Sequence, residues 1–209
     1  MRSVPDETVE TPAARPRGSY PKGIARRQQI LDRAIEVFAS RGAAGTSLRS
    51  IAEEIGVSHA ALTHYFRSRE HLLVEVYREA ERQVGETAPH EPDMSAVEIM
   101  TASAERNRTI PGLVQLYSTL VAAALEEGHA DARAFASERF ARIRSELADR
   151  VRRNQAAGSI RRDVDPETAA SLVIAASDGL QTQWLLDPAV GHTAGLELLD
   201  RLLAPVEAD

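Results

Sequence analysis

Apolar residues recur at every third or fourth position along most of this chain, the spacing that places them on one face of an α-helix. Alternation of apolar and polar residues, which marks a half-buried strand, extends over no more than a few positions, and no internal repeat is found. The pattern therefore predicts an all-α fold of about nine helices, in which a three-helix N-terminal unit precedes a larger helical domain.

Start and stop signals divide the chain into these helices. Serine, threonine and aspartate favour the position before a helix because their side chains accept a backbone hydrogen bond, and glycine favours the left-handed turn that ends one. On these signals the predicted helices begin near residues 21, 47, 58, 68, 97, 113, 131, 166 and 193, and the breaks fall at Gly42, Gly56, Pro89, Pro92, Pro111, Gly128 and Gly158.

Charge is distributed unevenly along the chain. The net charge is −6, yet residues 1–69 hold eleven Lys/Arg against seven acids, so this part carries +4 and the remainder −10. Residues 1–18 are rich in Pro, Thr, Ala and charge without an apolar period, which predicts a disordered arm. A basic N-terminal module on an acidic body is typical of a protein that meets phosphates at one end.

Composition excludes several classes of site. The chain has no cysteine, so disulfides, thiolate metal sites and cysteine nucleophiles are absent, which fits a reducing compartment. No stretch approaches the ~20 apolar residues that span a bilayer, and the first twenty residues do not resemble a signal peptide. We therefore expect a cytoplasmic protein with no membrane partner.

Residues 46–58, which read TSLRSIAEEIGVS, meet the requirements of a helix-turn-helix. Two short helices cross closely only if the contact residue is small, as Ala52 is, and if the turn tolerates an unusual backbone conformation, as Gly56 does. Val57 then fills the angle between the helices. The second helix, from Ser58 to about Tyr65, presents short side chains that can approach base edges in a major groove: His59, Ala60, Thr63 and His64.

Over residues 22–75 the chain resembles the DNA-binding domain of the TetR family. The matching residues are Ile30-Leu31-Asp32-Arg33-Ala34, Phe38, Gly42, Thr46-Ser47-Leu48, Ile51-Ala52, Gly56-Val57-Ser58, Leu62, His64-Tyr65-Phe66, Ser68-Arg69-Glu70 and Leu72-Leu73. Two positions depart from the family pattern, because the family often has tyrosine in place of Thr63 and lysine in place of Arg69. These departures affect the expected operator preference.

The resemblance implies which residues contact DNA. Phosphate contacts are implied for Thr46, Ser47, Tyr65 and Arg69, and positions nearer the bases for Ser58, His59, Ala60, Thr63 and His64. Arg49 is a further candidate, and Arg26 belongs to a basic N-terminal stretch that can follow the DNA backbone or minor groove. The alternatives are that the hydroxyl residues only cap helices, that the histidines are merely solvated and that the basic stretch only aids solubility.

From Leu113 to Pro188 the chain is similar to the C-terminal domains of the BetI-like subgroup. This similarity implies a homodimer whose seam lies on the last two helices, and a cavity inside the bundle for a small-molecule effector of unknown identity. The candidate seam residues are Leu172, Val173, Ala176, Leu180, Leu196, Leu199 and Leu203. The candidate ligand contacts are Met100, Arg106, Tyr117, Leu120, Phe135, Gln181 and Trp184, and the alternative for both sets is ordinary core.

The sequence thus predicts a DNA-binding transcriptional repressor that binds a palindromic double-stranded operator as a dimer and is released by an effector. The predicted domains are the arm over 1–18, the DNA-binding domain over 19–67 and the effector-binding and dimerisation domain over 68–209. An enzyme is disfavoured, because the chain has no glycine-rich phosphate loop, nucleophile elbow or metal-ligand spacing, and no cofactor or metal is predicted. A ligand-binding protein without DNA, an activator and an architectural protein remain alternatives.

Overall fold

The computed structural model describes residues 21–41, 47–87 and 93–205, and every regular element in these ranges is an α-helix. The all-α class and the helix number are confirmed for this part of the chain, whereas the predicted arm over 1–18 lies outside it. The helices are α1 Pro21–Arg41, α2 Leu48–Ile55, α3 His59–Tyr65, α4 Arg69–Thr87, α5 Ala96–Arg108, α6 Leu113–Ala124, α7 Ala130–Ala157, α8 Pro166–Leu186 and α9 His192–Leu203.

Capping side chains fix where several helices begin. Ser58 Oγ accepts a hydrogen bond from Ala61 N at 3.0 Å at the start of α3, and Ser95 and Asp165 cap α5 and α8 in the same way. The helix then leaves fewer backbone N–H groups without partners, which accounts for the agreement between predicted and observed boundaries.

One apolar core runs from the three N-terminal helices into the larger domain. Leu62 of α3 and Phe66, which directly follows this helix, are fully buried, and Tyr77 of α4 is 2% exposed. Helix α4 packs against α1 on one side and against α6 and α7 on the other. The predicted boundary between residues 67 and 68 remains a prediction, because the core crosses it without a break.

A second core joins α5, α7, α8 and α9. Leu147 and Val151 of α7 are buried there, while the opposite face of this long helix is charged and exposed, as its amphipathic pattern predicted. None of the helices in the described ranges is long and apolar enough to cross a membrane.

Candidate DNA-binding head and ligand cavity

The turn between α2 and α3 has the geometry that its glycine predicted. Gly56 has φ 75° and ψ 37°, in the left-handed region. Val57 N donates to Ala52 O at 2.9 Å and Gly56 N to Glu53 O at 3.2 Å, the pair of hydrogen bonds of a Schellman motif. Arg33 Nη1 of α1 donates to Ile55 O at 2.9 Å, so that α1 also holds the end of α2.

Gly56→Ala is expected to lower the free energy of unfolding by about 1–2 kcal/mol, because an L-residue pays this cost for left-handed backbone. A Cβ at this position would meet Arg33 Nη1 at 3.6 Å, an ordinary contact, so the cost comes from the backbone. Urea unfolding measures it. Gly158→Ala, at a left-handed glycine after α7, is the matched control for operator binding, and equal DNA affinity of the two variants would contradict a special role for the first turn.

Helix α3 presents to solvent the residues that were predicted to approach the bases. Ser58, His59, Ala60, Thr63 and His64 are all exposed. The Thr63 hydroxyl donates to His59 O at 3.0 Å and lies 3.2 Å from Ala60 O, which leaves its methyl group and the acceptor side of its oxygen free to contact DNA. On its inner side the helix is anchored by buried Leu62.

The predicted phosphate contacts occupy varied environments around α3. Ser47 is exposed and caps α2, and Arg49 is exposed with Nε 3.4 Å from Glu53 Oε1. Half-buried Tyr65 packs edge-on against His64, and burial lowers the pKa of half-buried Arg69. Arg26, the candidate from the basic N-terminal stretch, is exposed on α1. Thr46 lies outside the described residues.

The start of α4 is tied to the start of α7 by two carboxylates, a set of contacts we call the α4–α7 junction. Glu70 Oε1 of α4 accepts a hydrogen bond from Ala132 N at 2.7 Å, and its Oε2 lies 2.6 Å from His129 Nδ1. The second carboxylate, Asp131 of α7, forms an ion pair with Arg67, which lies just before α4. Each acid lies where the backbone N–H groups of a helix start converge, which stabilises negative charge.

A cavity of about 540 Å³ lies between α4, α5 and α7, with α6 and α8 contributing to its wall. Four of the predicted ligand contacts line it, namely Met100, Arg106, Tyr117 and Gln181, and their contact with a ligand stays a prediction. The other three predicted ligand contacts do not line it. Leu120 and Phe135 are buried in the core beside α4, and Trp184 is covered by Arg108, whose guanidinium carbon lies 4.4 Å from its ring centroid.

One part of the cavity wall is a cluster of buried polar side chains. Tyr117 Oη donates to Asp178 Oδ2 at 2.8 Å, and Arg139 Nη1 lies 2.7 Å from Glu81 Oε1. The Arg139 guanidinium also covers the rings of Tyr77 and Tyr117, at 5.5 and 4.9 Å from their centroids. Burial raises the pKa of Tyr77 to about 12 and raises that of Tyr117 further, so both are neutral hydroxyls at physiological pH.

The predicted dimer seam needs correction, because four of its residues are buried inside the protomer: Val173, Leu196, Leu199 and Leu203. Leu180 of α8 packs against Gly195 of α9 within the protomer. The two helices are so close that a Cβ at Gly195 would lie 2.7 Å from Leu180 Cδ1. Ala176 is half-buried against the second core, whereas Leu172 is 50% exposed. The period of these helices identified apolar positions but did not separate the inner from the outer face.

The exposed face of α3, the core that joins the three N-terminal helices and the cavity in the larger bundle together define a helix-turn-helix DNA-binding protein with a sensor domain. Residues 30–76 match the family model for bacterial regulatory proteins of the TetR family, and residues 98–206 match that for the C-terminal domain of BetI-type transcriptional repressors. The chain belongs to the TetR family, with a BetI-type C-terminal domain, which confirms the resemblance found in the sequence.

Relatives agree with this assignment. The chain is 28% identical over 156 residues to the HTH-type transcriptional repressor Rv1474c of Mycobacterium tuberculosis, covering 75% of this chain and 80% of the relative. It is 29% identical over 89 residues to the regulator BetI of Brucella suis, covering 38% and 45%. The chain is thus a ligand-responsive DNA-binding repressor by family, and this family is one of transcriptional regulators rather than enzymes.

Solved structures share the fold. A TetR-family regulator from Rhodococcus sp. is 25% identical with a TM-score of 0.67, covering 86% of this chain and 98% of the other. A transcriptional regulator from Saccharomonospora viridis, solved in complex with choline, is 24% identical with a TM-score of 0.63, covering 86% and 95%. Regulators of this family bind DNA and small molecules, typically as dimers.

Several residues of the two sites were not predicted from the sequence. The sequence does carry a signal for the cavity, since Arg139, Arg142, Glu146, Arg150 and Arg153 recur at helical spacing along one face of α7. Such a row of charges is usually a solvated face, so the pattern alone does not reveal that this face turns toward a cavity. The α4–α7 junction had a weaker signal, namely an acid in the first turn of each helix.

Proposed function

We propose that this chain acts in the cytoplasm as a homodimer that represses transcription by placing two α3 helices in successive major grooves of an inverted-repeat operator. The observation that carries the proposal is the exposure of Ser58, His59, Ala60, Thr63 and His64 on one short helix with a buried anchor. In such complexes the first residues of the second helix contact base edges, and dyad-related heads lie about 34–36 Å apart.

We assign the dimer surface to the outer face of α8 and α9. Three leucines on these helices are exposed although they are large and apolar: Leu172 at 50%, Leu198 at 50% and Leu202 at 62%. Leu186, at 83% exposed, ends α8. Apolar side chains that protrude together on one pair of helices favour burial against a second copy of the chain, because a two-fold axis brings identical patches together.

Two helices connect the cavity to the DNA-binding head. Residues 77–85 of α4 line the cavity, and the start of the same helix carries the junction that follows α3. Helix α7 likewise runs from Asp131, at the junction, to Arg153, at the cavity. An effector that prefers one arrangement of α4 and α7 therefore changes the separation of the heads. At saturation the operator affinity falls by the ratio of the effector's affinities for the released and the DNA-bound arrangements.

Asp131→Asn is expected to reduce the effect of effector on operator binding by about fivefold or more, within the ~1–3 kcal/mol that such coupling involves. The reason is that α7 loses its ion pair with Arg67 and shifts without moving the head. Gel-shift titrations with and without effector measure the ratio. Glu167→Gln is the control, since it removes a carboxylate in the first turn of α8 that pairs with Arg152 of α7. Unchanged coupling in Asp131→Asn would show that the junction does not transmit the signal.

The same pair gives an expected pH dependence of stability. The hydrogen bond from Arg67 holds the pKa of Asp131 below its usual range. Its stabilisation is therefore complete above the unfolded-state pKa of about 3.9 and is lost as the pH falls through the lower folded-state pKa. Thermal unfolding between pH 7 and pH 3 should show a smaller acid-induced loss for Asp131→Asn than for the parent chain, and identical slopes would contradict this role.

Selection of DNA from a random duplex library by the purified chain tests the proposal as a whole. The expected product is an inverted repeat with half-sites about one helical turn apart, bound with a steep salt dependence. Enrichment of no repeat, or equal affinity for random competitor, would contradict sequence-specific repression and favour an architectural role. A monomer in solution would contradict the dimeric arrangement.

A further inference from the structure

We infer that the effector of this chain is an amphipathic anion, a molecule with an apolar chain and a carboxylate or phosphate-like head, bound with its head at Arg106. This inference rests on the proposed function, since it names the ligand class of the same cavity. Three observations support it: arginines outnumber acids on the wall, Arg106 is the wall arginine of α5, and Arg139 already covers the rings of Tyr77 and Tyr117.

Positive charge dominates the cavity wall among the described residues. Seven arginines line it, against the three acids Glu81, Glu146 and Asp178: Arg78, Arg82, Arg106, Arg139, Arg142, Arg150 and Arg153. Even with the carboxylates of Glu75, Glu79 and Glu138, which pair with Arg78 and Arg82 from outside the wall, the acids do not outnumber the arginines. An anion entering this space gains Coulomb energy, and a cation loses it.

Arg106 is a half-buried arginine of the wall that forms no ion pair within the described residues, whereas Arg153, which also forms none, is exposed. The Nη2 of Arg106 donates a hydrogen bond of 3.2 Å to the neutral Ser103 Oγ, and its Nε is buried without a hydrogen-bond partner. Desolvated donors of this kind cost free energy until an acceptor arrives. A guanidinium offers parallel N–H groups that match a carboxylate or phosphate, and Asn107 adds an amide next to it on the cavity wall.

The surface that would suit a quaternary ammonium ligand is already covered. Cations of this kind bind over aromatic faces, and the aromatic side chains of the wall are Tyr77 and Tyr117. Arg139 lies over both rings, at 5.5 and 4.9 Å, and is held there beside Glu81 and Asp178. The cavity thus contains its own cation at the aromatic site, which excludes a second one by both contact and charge.

Another part of the wall is apolar, and the cavity is elongated. Ile99, Met100 and Ala104 of α5 face Ile143 and Leu147 of α7 across the cavity. The lining positions of α7 extend from Arg139 to Arg153, roughly 20 Å at the rise of an α-helix. A volume of about 540 Å³ lies within the range of small-molecule sites and accommodates a flexible chain beside a charged head.

Isothermal titration of the purified full chain with three head groups on equal chains tests the inference. The probes are hexanoate, octanoate and decanoate, the corresponding alkyltrimethylammonium ions, and the corresponding alcohols. We expect at least one carboxylate to bind at least tenfold more tightly than both the ammonium ion and the alcohol of its length. Equal or tighter binding of the ammonium ion or the alcohol, or no binding of any carboxylate at millimolar concentration, would overturn the inference.

Arg106→Gln is expected to weaken carboxylate binding about ten- to a hundredfold, the usual effect of losing a charge-assisted pair, and to leave alcohol binding unchanged. Arg106→Lys should be intermediate, because it keeps the charge and loses the planar fork. Arg108→Gln is the matched control, since Arg108 lies two residues away on α5 and stacks on Trp184 outside the cavity wall. Equal carboxylate affinity of Arg106→Gln and Arg108→Gln would exclude the assigned residue.

Arg139→Gln provides an independent arm. It uncovers Tyr77 and Tyr117, removes the cation beside Asp178 and leaves Glu81 with Arg142 as its remaining partner, so alkyltrimethylammonium affinity should rise while carboxylate affinity falls. Gel shifts on the selected operator separate the two levels of the proposal. Carboxylate binding that leaves the DNA complex intact would support the ligand class and contradict the proposed release mechanism. Release of DNA by the ammonium ion alone would support the release mechanism and contradict the ligand class.

Discussion

Replacing His59 and Thr63 together with alanine should weaken binding to the selected operator by about a hundredfold or more, since each base contact contributes ~1–3 kcal/mol. The two residues lie four positions apart on one exposed face of α3, above the buried anchor Leu62. Removing them takes away side chains that we propose contact bases and leaves the proposed phosphate contacts in place. Gel-shift titration should therefore show a large loss on the operator and a small loss on random duplex.

Two comparisons make this result specific. Thr119→Ala is the matched control, because Thr119 is also an exposed threonine whose hydroxyl donates to the backbone four residues earlier, at 2.8 Å, and it lies on α6. Arg49→Gln should instead weaken binding to all sequences about equally and reduce the salt slope by about one, as expected for a phosphate contact. Operator affinity that survives the double replacement would show that α3 is not the reading helix.

Replacing Leu198 and Leu202 with aspartate should convert the dimer to a monomer and lower operator affinity by about a hundredfold or more, because a head that is not linked to a second head loses the gain from simultaneous binding. The two leucines are 50% and 62% exposed on α9, so the substitutions place charge on a surface rather than in the core. Analytical ultracentrifugation measures the mass, and circular dichroism checks that the helices persist.

Leu125→Asp is the control for this prediction. Leu125 is 82% exposed at the end of α6, so the same chemical change there should alter neither mass nor DNA affinity. If the α9 variant stays dimeric, the dimer surface lies elsewhere on the chain. If it becomes monomeric and still binds the operator with parent affinity, the two-head arrangement is contradicted.

The helical boundaries and the turn of the DNA-binding head were predictable because local physics decides them. Ser58 and Asp165 cap helices through their own side chains, and Gly56 adopts a conformation that is costly for other residues. Tertiary packing had little to add at these points. The family resemblance covered the same stretch, where the motif is dense and its spacing fixed.

The cavity was predicted less completely because its composition depends on how helices rotate about their axes. Met100 and Tyr117 lie on the wall, whereas Phe135 and Leu120, which were predicted on the same grounds, lie in the core. A helical period shows that a face is apolar, but the neighbouring helix determines whether that face meets core, cavity or a second protomer.

What the sequence determined by itself is therefore the local part: the nine helices of residues 21–41, 47–87 and 93–205, a pair of them joined at a glycine, and a basic N-terminal region on an acidic chain. What only the tertiary structure decided is which charges meet. Arg139 reaches Glu81 and the ring of Tyr77, and Asp131 reaches Arg67, across separations of about sixty residues that no local pattern encodes. Partners so distant in the chain come together only through the packing of the whole bundle, because electrostatic interactions depend on distance in space.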